Sequence, residues 1–246
     1  MAPLTQPLRD NHRRAATALI TLVLFMLSAI GWAGTTVGEG LVWIIWPNWP
    51  VVEERIDYRL HQAYNQFCDA LLWTHLLLLV GSAGLFIAWL RRAYYNLHQL
   101  PAIRCRYATG WAAGAWWVPG LNLVLPYLLV RDVWQQTQGA GLRRQARPAT
   151  LVGWWWAACL LKLAVTVFVK TGMEAGVSYD IFEHSLLVAA TILAHLPAAA
   201  LTWRLIGQCA EFEEALAWRA HLDSLGQPAM FAPATQQPDY SLADDH

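Results

Sequence analysis

Charge is what this sequence has least of. Asp, Glu, Lys and Arg make up 14% of its 246 residues, where a soluble domain carries about 25%. An excess of either sign is missing too: 17 basic residues face 17 acidic ones, so nothing in the overall charge points to a nucleic-acid partner. Cysteine is sparse. Cys68, Cys105, Cys159 and Cys209 have no metal-ligand spacing, so neither a disulfide framework nor a zinc site is implied. Zinc motif, nucleophile elbow and close carboxylate pair are all absent, which leans the reading away from an enzyme and implies no metal and no cofactor. No internal repeat recurs at a fixed period.

What is abundant is apolar surface. Hydrophobic residues reach 57%, with 15 tryptophans, and they are gathered into long blocks, the signature of membrane spans. "AATALITLVLFMLSAIGWAG" (15–34) is the first. It exceeds the apolar core of a signal peptide, about 7–15 residues, so it is read as a retained anchor although "GWA" resembles a cleavage site. "LVWIIWPNWP" (41–50) is too short to span, and its tryptophans suit the headgroup level. "VVEERIDYRLHQAYNQF" places Val52, Ile56, Leu60, Ala63 and Phe67 on one helical face leading into the second span, 67–90. Spans at 150–170 and 184–205 follow. An amphipathic helix is expected at 206–222, and the proline- and glutamine-containing tail 223–246 is expected to be disordered. The fold class is all-α: a polytopic helical membrane domain over 15–222, after a short N-terminal segment, 1–14.

Between the second and third of these spans lies "GWAAGAWWVPGLNLVLPYLLVR" (110–131), apolar and long enough to cross. The arginines argue that it does not. Basic residues mark cytoplasmic loops when counted close to span ends. Arg9, Arg13 and Arg14 precede the first span; Arg91, Arg92, Arg104 and Arg106 follow the second. Arg131, Arg143, Arg144 and Arg147 follow the 110–131 segment, against Asp132 alone. The two remaining loops are acidic, with Glu39, Glu53, Glu54 and Asp57 in one and Glu174, Asp180 and Glu183 in the other. Four spans with both termini cytoplasmic satisfy every loop. A fifth crossing would put an arginine-rich loop outside. The segment is therefore expected to be re-entrant or interfacial, broken at Pro119-Gly120 into halves of about 11 residues, or roughly 16 Å of helix each. Backbone broken at that depth must be buried in protein or face water.

"WLRRAYYN" followed by "GWAAGAWWVPGLNLVLPY", Trp134 and a further "WW" resembles the bacterial membrane family catalogued as domain of unknown function 4328. The residues that carry the likeness are Trp89, Arg92 and Asn96, then Gly110, Trp111, Trp117, Pro119, Asn122, Leu123, Pro126 and Tyr127. The resemblance implies a multi-pass protein of the bacterial inner membrane and no assigned activity.

Polar groups inside apolar spans are costly, and each is a candidate site. Lys162 lies about 12 Å inside its helix. His75, His195 and, nearer the surface, Asp69 complete a set that either pairs off locally, Lys162 to Asp69 and the histidines to neighbouring backbone or hydroxyls, or lines a polar path. At the basic end, Arg92 and Asn96 share one helix face. With Asn122 and Arg131, and with walls from Trp111, Trp117, Pro119, Pro126 and Tyr127, they form a candidate mouth for a lipid phosphate. Structural duty is the competing reading: Arg92 as a topology anchor and Asn122 as a cap on the backbone around Gly120.

Three function classes compete. A non-enzymatic module binding an anionic lipid or a protein partner, or acting as a homo-oligomer, is favoured by the basic face. A small transporter or channel would use the broken segment and the polar path. A lipid-modifying enzyme comes last. Topology is tested by single cysteines in a cysteine-free background. Cysteines at Gln62 and Val177 should react with an impermeant reagent from outside, and those at Gln99 and Gly139 should be protected. External labelling at Gly139 would show that 110–131 crosses fully.

Overall fold

The computed structural model describes residues 9–45, 58–100, 103, 105–139, 147–174 and 179–226. Among these residues every regular element is helical: α1 (His12–Ile45), α2 (Tyr58–His98), α3 (Trp111–Gly114), α4 (Leu125–Gly139), α5 (Thr150–Glu174), α6 (Ile181–Leu193) and α7 (His195–Gly226), with a 3-10 turn at Leu121–Leu123. Four stretches are long and apolar enough to cross a membrane: His12–Ile45, Gln62–His98, Thr150–Glu174 and Ile181–Trp218. The protein is an all-α membrane-type bundle, as the sequence indicates.

Its surface carries the apolar residues that a soluble protein would hide. Ile20, Leu27, Leu77, Val80, Leu161 and Phe168 are all exposed, the arrangement expected where the surroundings are hydrocarbon. Lipid gives helices no hydrophobic reason to associate, so close contact through small side chains does that work. The buried stripe of α1 follows this rule: Ala15, Ala18, Leu22, Phe25, Ala29 and Ala33 recur at three- and four-residue steps. That stripe packs against α2, α6 and α7. Toward its far end Ala29 and Ala33 meet Ala189 and Ile192 of α6. At Gly40 the helices approach so closely that a Cβ there would sit 2.9 Å from Ser185 Cβ.

The larger core lies at the opposite end of the bundle, where α2, α4, α5 and α7 converge. Trp89, Trp134 and Trp155 are fully buried there with Tyr94, Leu129, Ile206 and Cys209. Trp155 Nε1 donates to Thr202 Oγ1 at 2.9 Å and Trp134 Nε1 to the Arg147 carbonyl at 3.3 Å, so these two rings carry their polar edge into the core satisfied, whereas Trp89 Nε1 is buried without a partner.

Segment 110–131 is not one helix. The break falls at Gly120, whose φ of 81° is accessible to glycine without a side-chain clash. The two sides differ from the expected pair of equal helical halves. Before the break only Trp111–Gly114 is helical, since Pro119 disfavours helical backbone at Val118. After it comes the 3-10 turn and then α4, which begins at Leu125 and tolerates Pro126 in its first turn, where the missing N–H has no helical role.

Three other boundaries move. α1 continues through Ile45, absorbing the start of the tryptophan-rich 41–50 stretch; Trp46 and Trp49 lie outside the described residues, as do 51–57. The last span is interrupted at Ala194, because the Pro197 ring collides with the carbonyl four residues earlier and offers no N–H. Beyond it, the end of the span and the amphipathic 206–222 stretch are one helix that runs past the expected boundary to Gly226. Residues 227–246 lie outside the described part. An Asp180–Glu183 capping box starts α6, with Glu183 N–H donating to Asp180 Oδ1 at 2.7 Å, a signal present in the sequence as D-x-x-E before an apolar run.

Gly40→Val tests the α1–α6 approach. Forcing branched carbons against Ser185 should cost about 1–3 kcal/mol, read as a lower unfolding midpoint in detergent. A midpoint equal to that of the parent would mean the two helices are free to separate there.

Candidate functional site

The basic end of the bundle is built from the start of the chain and the end of α2. Arg14, in the first turn of α1, donates Nη1 to the Ala88 carbonyl at 3.1 Å. Just upstream, the backbone of Arg9 is held on both sides by one side chain. Its N–H donates to Asn96 Oδ1 at 3.1 Å, and its carbonyl accepts from Asn96 Nδ2 at 2.9 Å. The Arg9 guanidinium lies 4.3 Å from the centre of the Tyr95 ring. Asn11, 4% exposed, ties the same stretch to α7 by donating Nδ2 to Glu213 Oε1 and Oε2 at 3.3 and 3.1 Å.

These contacts frame a cavity of about 450 Å³ lined by Arg9, Arg14, Arg91, Arg92, Tyr95 and Thr109. Thr109 is brought there by the loop over the end of α2, where Tyr107 N–H donates to the Tyr94 hydroxyl at 3.2 Å. Among the described residues, none of the four arginines has a carboxylate within ion-pair distance; the ion pair found is Lys170–Glu174 at 3.7 Å, on α5.

The structure brings together only some of the residues that the sequence suggested. Arg92 lines the cavity and Asn96 positions one of its walls. Asn122 and Arg131 line neither this cavity nor its neighbour. Asn122 sits half-buried on the 3-10 turn without a side-chain cap at the Gly120 break. Arg131 leans over Tyr127, 5.8 Å from the ring centre, with its Nε buried and unpaired. Trp111, Trp117 and Pro119 are exposed and Pro126 is buried; none of them lines the cavity. The mouth is therefore assembled from Arg9, Arg14 and Arg91 in place of Asn122 and Arg131. Counting arginines along the sequence carries no information on proximity, because the contact between 9 and 96 crosses 87 positions of sequence.

A second polar group lies within the spans. His75 is 2% exposed and its Nδ1 is 3.1 Å from Ser28 Oγ. Ser28 commits its hydroxyl hydrogen to the Phe25 carbonyl at 2.8 Å, so His75 Nδ1–H is the donor to Ser28. His195 Nδ1 faces the Thr191 and Ile192 carbonyls at 3.0 and 3.2 Å and must donate as well. In its neutral form each ring would thus carry its proton on Nδ1 and leave Nε2 as an acceptor. The two rings meet edge to face at 6.2 Å between centres, with Phe25 stacked on His75 at 5.0 Å. Lys162 is half-buried and acts electrostatically on His195 and Cys159. Asp69 is exposed, and no ion pair joins it to Lys162. The expected Lys162–Asp69 pairing is thereby corrected: no ion pair joins the two among the described residues, while the histidines do bond to local backbone and hydroxyl, as the plainer reading held.

The family model "Domain of unknown function (DUF4328)" matches residues 53–211. The chain belongs to that family. No curated protein and no solved structure matches it. The DUF4328 stretch includes Arg91, Arg92, Asn96, His75, Lys162 and His195, whereas Arg9, Arg14 and Ser28 come from the chain before it. Each polar cluster therefore joins a group within the DUF4328 stretch to one supplied by the N-terminal part.

The His75–Ser28 bond predicts a coupled pair. His75→Phe keeps a flat ring against Phe25 and loses the donor, and should lower stability by about 1 kcal/mol. Ser28→Ala should add almost nothing in that background. Additive losses across the double-mutant cycle would dissolve the bond as an energetic unit.

Proposed function

We propose that this DUF4328 protein is a non-enzymatic module of the bacterial inner membrane, both termini cytoplasmic, that holds the phosphate of an inner-leaflet phospholipid in the arginine cavity. The observation that carries this reading is four guanidinium groups around one cavity of about 450 Å³ with no carboxylate counterion among the described residues. Like charges gathered this way repel, and two of them are held in place regardless: Arg14 by the Ala88 carbonyl and Arg9 by the Asn96 clasp. Such a cluster favours an anion, and arginine's planar fork matches phosphate oxygens in pairs. The cavity opens where α2 leaves its apolar stretch, the level of lipid headgroups. The alternation of basic and acidic loops supports the cytoplasmic orientation of this end.

Transport is the second reading, resting on the gathered His75, His195 and Lys162. It lacks an acid partner within the spans, since Asp69 stands apart, and so it ranks below lipid binding.

Arg91→Gln/Arg92→Gln should lower phospholipid retained on the purified protein by about tenfold, equal to 1.4 kcal/mol of binding, measured by native mass spectrometry. Size-exclusion profile and helicity should match the parent. Equal lipid occupancy in the double variant would overturn the proposal.

A further inference from the structure

The four arginines of the cavity come as two pairs. Arg91 and Arg92 are successive residues of α2, inside the DUF4328 stretch, whereas Arg9 and Arg14 belong to the start of the chain, outside it. The first pair is carried by a helix and the second is fastened to that helix. Asn96 clasps the Arg9 backbone on both sides, and Arg14 Nη1 donates to the Ala88 carbonyl at 3.1 Å. Both pairs line one space, and Arg9 and Arg14 each act electrostatically on Arg92. On the other side of Arg9 a neighbouring space of about 440 Å³ is edged by Asp10, Glu213 and Glu214, which confines an anion to the arginine side.

One phosphate leaves much of this site unused. A guanidinium carries five N–H donors in a planar fork. Among the described residues, the four guanidinium groups commit one N–H to the protein itself, the bond to Ala88. A phosphodiester offers two non-bridging oxygens and a single negative charge, which two forks in paired contact saturate. The other two forks would stay unmatched and most of the positive charge uncompensated. The space is also large for one phosphate. Its volume of about 450 Å³ lies within the roughly 300–1,000 Å³ of pockets that hold whole small molecules. Two phosphates on separate lipids would each lose their freedom on binding and would repel one another. A covalent bridge between them makes the second contact intramolecular, so it adds affinity at little further cost.

Resting on the lipid-phosphate reading above, we propose that the cavity takes two phosphate groups joined by a short bridge, one on Arg91 and Arg92 and the other on Arg9 and Arg14: the headgroup of a diphosphatidylglycerol. Basic pockets at the cytoplasmic ends of spans suit such headgroups. The α2 pair alone would make a site for any phospholipid. The N-terminal pair adds the second seat, so the part of the chain ahead of the DUF4328 stretch sets the choice of lipid.

The experiment is a lipid competition on the full chain, delipidated in detergent and offered diphosphatidylglycerol and phosphatidylglycerol with identical acyl chains at equal phosphate. Native mass spectrometry should show one diphosphatidylglycerol per chain, preferred by about tenfold or more. Arg9→Gln/Arg14→Gln should abolish the preference while phosphatidylglycerol still binds. Arg9→Gln alone should weaken the preference with the strap in place, because the Asn96 clasp holds the Arg9 backbone and not its side chain. Soluble glycerol 1,3-bisphosphate should displace the lipid only at far higher concentration. Displacement at equal concentration would make the occupant a free bisphosphate and overturn the lipid assignment. Equal occupancy by the two lipids, or a preference untouched by both N-terminal variants, would overturn the two-phosphate assignment. If Arg91→Gln/Arg92→Gln still strips phospholipid in that case, the single-phosphate reading stands alone. If that variant keeps its lipid, both readings fall.

Discussion

Backbone polar groups have no water to bond within a bilayer, and the architecture follows from that constraint. It makes each crossing a helix and leaves side-chain fit as the main means of bringing helices together. α1 meets its neighbours through alanines and Gly40, close enough for dispersion to act over the whole length of the seam. The same constraint governs the irregular parts. The turn at Gly120 and the interruption at Ala194 release backbone groups, and each is answered nearby. Trp156 Nε1 donates to the Leu123 carbonyl at 3.1 Å, and His195 Nδ1 to the Thr191 and Ile192 carbonyls.

Polar side chains are used sparingly, and their placement divides in two. The two histidines within the spans are locally satisfied on one side: His75 through Ser28, His195 through its own helix. Those at the basic end are charged, and the arginines there lack counterions while the carboxylates beside them lack bases. Asn96 fixes the Arg9 backbone and neutralises no charge.

Much of the fold was legible in the sequence, because the signals that mark it are local. Runs of apolar residues gave the four spans, and Pro119-Gly120 gave the break. What local pattern could not give was helix continuity and long-range proximity. Nothing in "LVWII" distinguishes a headgroup-level segment from the last turns of a helix, and the structure makes it the latter. Pro197 carried a readable warning of the interruption at Ala194, obscured by the uniform hydropathy around it. The site was half legible. Arg92 and Asn96 share a face by helical spacing, but Arg9 and Asn11 reach it only through tertiary contact, and the Lys162–Asp69 pairing failed because depth along a helix says nothing about direction around it.

The Asn11–Glu213 bond has a consequence for how the molecule is made. It joins the residue just before α1 to α7, 202 positions apart, so this end of the bundle cannot close until residue 213 has been synthesised. α1 and α2 can pair early through the Arg14–Ala88 and Arg9–Asn96 contacts, with a span of 87 positions or fewer. The last step is then the docking of α7 against a strap already in place. A chain truncated before Glu213 would keep the earlier helices and lose the Asn11–Glu213 bond, so that assembly, rather than insertion, completes this end of the bundle.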